Sequence, residues 1–333
     1  MKILVTGAAG FIGMHTADRL LRAGHEVVGL DNVNDYYDTR LKRARLKALS
    51  AHAAFAFHEL GIENAPALSE VFRQAAPQRV VHLAAQAGVR YSLTHPQAYA
   101  DSNLQGFVNM LEACRHHGVE HLVYASSSSV YGGNTELPFS ESQSVDQPIS
   151  LYAATKKANE LMAHSYSHLF SLPTTGVRLF TVYGPWGRPD MAPYKFAQAI
   201  CADQPIEVYN EGRSLRDFTY IDDAVESIER LLHKLPEPGP GPGLSSASAP
   251  YRVFNVGNGQ PVVLHEFISA LERSLGRTAN KIMRPAQPGD MSATACDSSA
   301  LDAWIGFRPA TALTDGVERF ARWFAQYHQI ERG

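Results

Sequence analysis

The chain has 333 residues, 45% hydrophobic and 19% charged, a composition that supports a large core and excludes a disordered or low-complexity protein. A formal net charge of −3 gives no general attraction to nucleic acid or to an anionic membrane, and no apolar run reaches the roughly 18 residues required of a spanning helix. Cys114, Cys201 and Cys296 stand far apart without metal-ligand spacing, which predicts reduced thiols, no metal site and a cytoplasmic setting.

The opening MKILVTGAAG runs directly into a strand and a turn, so no secretory leader is expected. Short apolar runs at Lys2–Thr6, Glu26–Leu30, Ala54–His58, Arg79–Leu83, His121–Ala125 and Gly176–Phe180 predict buried strands. Between them, Phe11–Ala23, Ala65–Ala75, Pro96–His117 and Leu151–Phe170 carry helical periodicity. The basic residues Lys42, Arg43, Arg45 and Lys47 are spaced as on the solvated face of a helix. Strand–helix alternation of this kind predicts an α/β fold, a Rossmann-type doubly wound parallel sheet.

Beyond Tyr183 the pattern loosens, with helices expected near Ala192–Ala202, Ile221–His233, Leu264–Leu275 and Leu313–Tyr327. The expected division is a nucleotide-binding domain over 1–182, a returning segment near 217–256 in which Arg252–Val256 rejoins the sheet, and a smaller C-terminal α/β substrate domain over 183–330. Pro236–Pro250, rich in Pro, Gly and Ser, predicts an exposed, mobile loop without a chemical role.

TGAAGFIG places Gly7, Gly10 and Gly13 between the first strand and the first helix. Glycine allows a tight turn and a close approach to pyrophosphate, and the helix N-terminus offers N–H groups and a positive dipole end to that anion. The second strand leads to Asp31, spaced to bond the adenosine ribose hydroxyls. Its charge would repel a 2′-phosphate, so the expected cofactor is NAD. Phe11 and Ile12 in the turn, Asn32 beside Asp31, Glu59 and Leu60 after the third strand, and Leu83, Ala84 and Ala85 after the fourth are expected along the same dinucleotide. His82 reads as structural.

YAATK sets Tyr152 and Lys156 four residues apart on one helical face, where phenol and ammonium can address one substrate. A phenol titrating near 10 is a poor base at neutral pH. A nearby ammonium, with the positive nicotinamide ring, favours its ionised form. SSSSVYG, at the expected carboxyl end of the fifth strand, supplies a hydroxyl for the same substrate oxygen.

With these motifs in place, the chain resembles an extended short-chain dehydrogenase/reductase of the nucleotide-sugar epimerase and dehydratase group from end to end. The resemblance implies Ser127, Tyr152 and Lys156 as the catalytic set. RLFTVYGP, RDFTYIDD and PGDMSATACD are also similar to that group. They imply that Arg216 meets the diphosphate, that Asp290 lies near the ribose, and that Lys195 and Phe196 flank the uridine.

Dehydratases of the group carry an Asp-Glu pair beside the catalytic hydroxyl; Ser128 and Ser129 stand there in this chain, which argues against dehydration. LDNVNDYYDTRLKRARL and TVYGPWGRPDMAPYKF resemble segments typical of UDP-glucuronate 4-epimerases. That likeness implies a sugar carboxylate held by Arg188, Thr181, Ser128 and Ser129, with Arg90 a further contact to sugar or phosphate, and a UDP-sugar as the small-molecule partner. It also implies a homodimer through the helices at Pro96–His117 and Leu151–Phe170. Epimerisation of UDP-glucose or its N-acetyl relative, decarboxylation of UDP-glucuronate, and an NAD-sensing module without chemistry stay open as alternatives.

Overall fold

The structure is a computed structural model that describes residues 1–286 and 291–331. Its first half runs β1 (Lys2–Thr6), α1 (Phe11–Arg22), β2 (Glu26–Asp31), α2 (Thr39–Leu49), β3 (Phe55–Glu59), α3 (Ala65–Ala75) and β4 (Arg79–His82). Two short helical turns, α4 (Tyr91–Thr94) and α5 (Pro96–Tyr99), lead through a π-helical stretch at Ala100–Gln105 into α6 (Gly106–His116). β5 (His121–Ser127), α7 (Leu151–Phe170) and β6 (Thr174–Leu179) follow.

The second half runs β7 (Thr181–Tyr183), α8 (Ala192–Cys201), β8 (Ile206–Tyr209), β9 (Leu215–Arg216), β10 (Phe218–Tyr220) and α9 (Ile221–His233). It continues through β11 (Leu244–Ser245), β12 (Tyr251–Val256), β13 (Val262–Val263), α10 (Leu264–Leu275), β14 (Lys281–Arg284), α11 (Ser299–Ile305) and α12 (Leu313–His328).

Among the described residues, eight strands form the main sheet in the order β11-β12-β6-β5-β4-β1-β2-β3. All neighbours are parallel except β11 with β12. Helices cover both faces, so Ile3, Leu4 and Val5 are fully buried despite alternating sides, as a parallel sheet requires. Strand order reverses at β1, with β2 on one side and β4 on the other, which opens a crevice at the carboxyl ends of these strands. α9 lays Ala224, Val225, Ile228, Leu231 and Leu232 inward, and Arg19 of α1 pairs with Glu226 and Glu229, fastening the two helices together. No helix among the described residues is long and apolar enough to cross a membrane.

One expectation is refined and two are corrected. The helix expected over Pro96–His117 is present to His116 with helical backbone angles at both joins, but its residues Ala100–Gln105 widen to π geometry. The supposed mobile loop at 236–250 is tied down instead. Leu244 and Ser245 add an antiparallel edge strand, Ala249 is fully buried, and Arg252 donates to the carbonyl of Pro242 at 3.0 Å. On α2 the expected solvated face holds for Arg43 and Lys47 but not for Arg45 and Lys42, which are buried and bonded.

Candidate active site

The crevice at the strand ends is a cleft of about 920 Å³. At its floor Gly7 adopts φ +72°, and its N–H donates to the Leu30 carbonyl at 2.7 Å. A methyl group on Gly7 would lie 2.8 Å from the Ala84 nitrogen, and one on Gly13 only 2.0 Å from the Gly7 oxygen. The turn therefore admits only glycine at these positions, and it brings the N-terminus of α1 against the cleft. Thr6 braces the same corner: its hydroxyl meets His82 Nδ1 at 2.8 Å and accepts from the N–H groups of Leu83 and Ala84. Burial, with the Lys156 charge added, drives His82 down to about 3, so it is a neutral strut as expected.

Asp31 accepts from the N–H of Ala9 at 3.1 Å through one oxygen and from that of Val33 at 2.8 Å through the other. Each oxygen keeps a lone pair for a hydroxyl. Burial raises the Asp31 pKa, and those N–H groups and the charges of Lys42 and Arg45 oppose the rise. Gly10, Phe11, Ile12, Asn32, Leu60, Leu83, Ala84 and Ala85 line the cleft with Gly7, Gly13 and Asp31, a set that fits a dinucleotide. Glu59 does not join them. It turns onto α2 and pairs with Arg43 at 2.6 Å on the exposed side of the sheet edge.

Ser150 caps α7 by accepting from the Ala153 N–H, and the first two turns bring Tyr152 and Lys156 to the cleft beside Ser127. Burial raises the Tyr152 pKa; a hydrogen bond from Ser127 and the charge of Arg188 act against it. Lys156 donates to the Ala125 carbonyl at 2.8 Å, and burial lowers its pKa to about 8. The expectation that Lys156 lowers the phenol is thus modified: the groups acting on Tyr152 in this structure are Ser127 and Arg188.

The four serines divide their work. All four line the cleft, and Ser126 also donates to Glu160 at 2.6 Å. Ser127 also accepts from the Ser129 N–H, which starts a tight turn over Ser128–Tyr131. Glu160 in turn takes both arms of fully buried Arg178, at 2.8 and 2.9 Å, and Arg178 reaches the Tyr131 hydroxyl at 3.0 Å. This support was missed in the sequence, although a lone arginine in the apolar strand TTGVRL needs a buried partner. Asn103 was missed as well. The π stretch turns it inward, where it bonds the Gln86 backbone through both ends of its amide and Thr155 of α7 at 3.1 Å.

At the other end of the cleft, Thr181, Arg188, Lys195, Phe196, Arg216 and Arg90 line the wall. Arg188 is joined to Asp190, with Nε to Oδ1 at 3.0 Å, and the Tyr36 hydroxyl donates to the other oxygen at 3.1 Å. Arg90 lies over the Tyr209 ring at 5.3 Å. Arg216 donates to the carbonyls of Leu215 and Ser292, while neighbouring Asp217 is taken by the N–H groups of Asn258, Gly259 and Cys296. Asp290 lies outside the described residues.

Residues 3–257 match the NAD dependent epimerase/dehydratase family. The chain belongs to that family. The match takes in the nucleotide turn, the Ser127–Tyr152–Lys156 cluster and the returning strand β12. Over its full length the chain is similar to protein CapI of Staphylococcus aureus, 53% identical over 99% of this chain and 100% of that one. It is 49% identical to a probable UDP-glucuronate 4-epimerase of Rhizobium meliloti, across 99% of this chain and 98% of the relative. Among solved structures, the UDP-glucuronic acid 4-epimerase of Bacillus cereus, in complex with UDP-glucuronic acid and NAD, superposes with a TM-score of 0.89. The two are 33% identical over 98% of this chain and 100% of the other.

Proposed function

We propose that this protein is an NAD-dependent 4-epimerase that interconverts UDP-glucuronate and UDP-galacturonate through a transient 4-keto sugar. The observation that carries the reading is that Ser128, Ser129, Thr181 and Arg188 open onto the same cleft as Ser127, Tyr152 and Lys156. The acid at 190 is engaged by Arg188 and Tyr36 and so is not free to protonate a departing hydroxyl.

Bound NAD supplies the acceptor, and in the return step the donor, of the hydride from C4. Tyr152 takes the proton of the 4-hydroxyl as the C4–H bond breaks, and Ser127 bonds the same oxygen. Lys156 keeps a positive charge below the phenol. After the keto sugar turns over, Tyr152 returns the proton and C4 is reduced from its other face. The keto intermediate of a glucuronate is a β-keto acid and can lose carbon dioxide, a step that moves charge away from the carboxylate. Fixed donors at the carboxylate stabilise the charge where it is and so oppose that loss. Arg188, Thr181, Ser128 and Ser129 are suited to be those donors, and Arg216, Lys195, Phe196 and Arg90 to hold the nucleotide.

Incubation with UDP-glucuronate, with products resolved by mass and by anomeric NMR, tests the reading. An isomer of unchanged mass is expected. A product lighter by carbon dioxide, or turnover confined to UDP-glucose, would overturn it.

The same reading carries a two-part chain, with NAD bound by 1–182 and the returning segment near 217–256, and the nucleotide sugar mainly by 183–330. It also carries a cytoplasmic setting, in keeping with three free cysteines. A homodimer through α6 and α7 accounts for Leu161, Leu169 and Phe170 standing 58%, 68% and 38% exposed on α7. Light scattering would give twice the chain mass, and Leu161→Lys would reduce it to the monomer.

A further inference from the structure

Two segments far apart in the sequence, Asn34–Arg45 and Pro185–Asp190, meet at the sugar end of the cleft. Arg45 is the centre of that meeting. It is fully buried on α2 and, among the described residues, is bonded to no carboxylate; its Nη1 donates to the Ala9 carbonyl at 2.9 Å and to the Tyr37 hydroxyl at 2.6 Å. Its Nη2 donates to the carbonyls of Trp186 at 2.6 Å and Gly187 at 3.2 Å, and its Nε has no partner. One planar fork thus ties the glycine turn under the cofactor to the two residues that precede Arg188.

The bound segment needs holding. Trp186 has φ 62°, a left-handed conformation uncommon for a bulky side chain. Its ring is packed against Trp323 and Tyr327 of α12, and Pro185 accepts from His15 of α1 at 2.9 Å if that nitrogen carries the proton. At the far end, Tyr36 holds Asp190, which holds Arg188. A buried guanidinium bonded to no carboxylate, its desolvation only partly offset by the charge of Asp31, is costly, and an apolar side chain would fill the volume more cheaply if nothing but packing were required. The charge sits where three carbonyls from two segments converge, and a planar fork is the one side chain able to serve them together.

We propose that Arg45 is a positioning residue for the sugar-acid end of the site: by fixing the Trp186 and Gly187 carbonyls against that of Ala9, it sets the direction in which Arg188 enters the cleft. The proposal rests on the reading that Arg188 meets the uronate carboxylate. It joins cofactor and sugar sites mechanically, because the Ala9 carbonyl belongs to the turn whose next residues cradle the pyrophosphate.

The test compares Arg45→Met, Arg45→Lys and Arg188→Met in the NAD-loaded enzyme, measuring kcat and KM for UDP-glucuronate and the inhibition constant of UDP, which lacks the sugar acid. Arg45→Met is expected to raise KM for UDP-glucuronate about ten- to a hundredfold, as misplacement of a binding group does, while the UDP constant stays within about twofold. Arg45→Lys, which keeps the charge but not the fork, is expected to fall between. Should Arg45→Met fail to fold, the split in Arg45→Lys decides. Equal weakening of UDP and UDP-glucuronate, or no change in either, would overturn the proposal. If Arg188→Met raises KM and the Arg45 variants do not, the positioning role alone fails. If Arg188→Met also leaves KM and kcat unchanged, the carboxylate reading fails with it.

Discussion

Lys156 donates from Nζ to the carbonyl oxygen of Ala125 at 2.8 Å, one turn along α7 from Tyr152. The bond anchors a buried ammonium to the last part of β5, two residues before Ser127, whose hydroxyl bonds the phenol. Helix and strand are thereby locked in register at the place where proton transfer is proposed.

Removing either partner in that transfer should cost rate more than binding. Tyr152→Phe is expected to lower kcat by about 10²- to 10⁴-fold while NAD stays bound, since the phenol contributes general acid–base catalysis and the turn at Gly7–Gly13 is untouched. Steady-state rates with UDP-glucuronate and the NAD content of the purified variant check this; a normal rate would remove Tyr152 from the chemistry.

Lys156 titrates in this structure at about 8, lowered by burial. Activity that depends on its charge should therefore decline as pH rises through about 8 in the free enzyme. The linked effect on stability has the opposite slope. Between about pH 8 and about pH 10 the unfolded chain holds the Lys156 proton and the folded chain does not, so this residue makes stability rise with pH across that window. Denaturation midpoints of wild type and Lys156→Met, followed across the window, should converge as pH rises.

The Arg178–Glu160 pair is fully buried and bidentate, and it also carries Ser126 and Tyr131. Taking away one partner leaves the other as an uncompensated buried charge. Glu160→Gln should destabilise the fold by about 3–5 kcal/mol. Chemical denaturation measures the loss, and the double change Glu160→Leu with Arg178→Met should recover part of it.

Asp31 is held in place by two backbone N–H groups and lines the cleft. Asp31→Ala removes the acceptor proposed for the ribose hydroxyls, and NAD affinity should fall about tenfold or more, the usual scale for hydrogen bonds to a charged group. NAD released on denaturation, compared per chain with wild type, would expose an unchanged stoichiometry.

Much of the fold was legible in residue order. α3, α7, α9 and α10 fall where their periodicity places them, because the apolar stripe of a helix is written in neighbours three and four apart. The nucleotide turn and the Tyr152–Lys156 spacing were readable for the same reason. The π stretch before α6 was less so, since it is decided by what Asn103 reaches across the fold rather than by the residues beside it. The same holds for 236–250, whose Pro and Gly content suggests a free loop until Arg252 is seen to hold it.

Sequence alone determined the strand–turn–helix around Gly7–Gly13, the acid that ends β2 and the Tyr152–Lys156 spacing, because each depends on short-range backbone geometry. Tertiary structure alone decided the partners of the arginines. Arg45 meets Trp186 across 141 positions, and Arg43 draws Glu59 away from the cleft across 16. A guanidinium on a long side chain is bound by whichever carbonyls and carboxylates the fold brings within reach, and that depends on how helices pack on the sheet. Hydrophobic periodicity does not encode it.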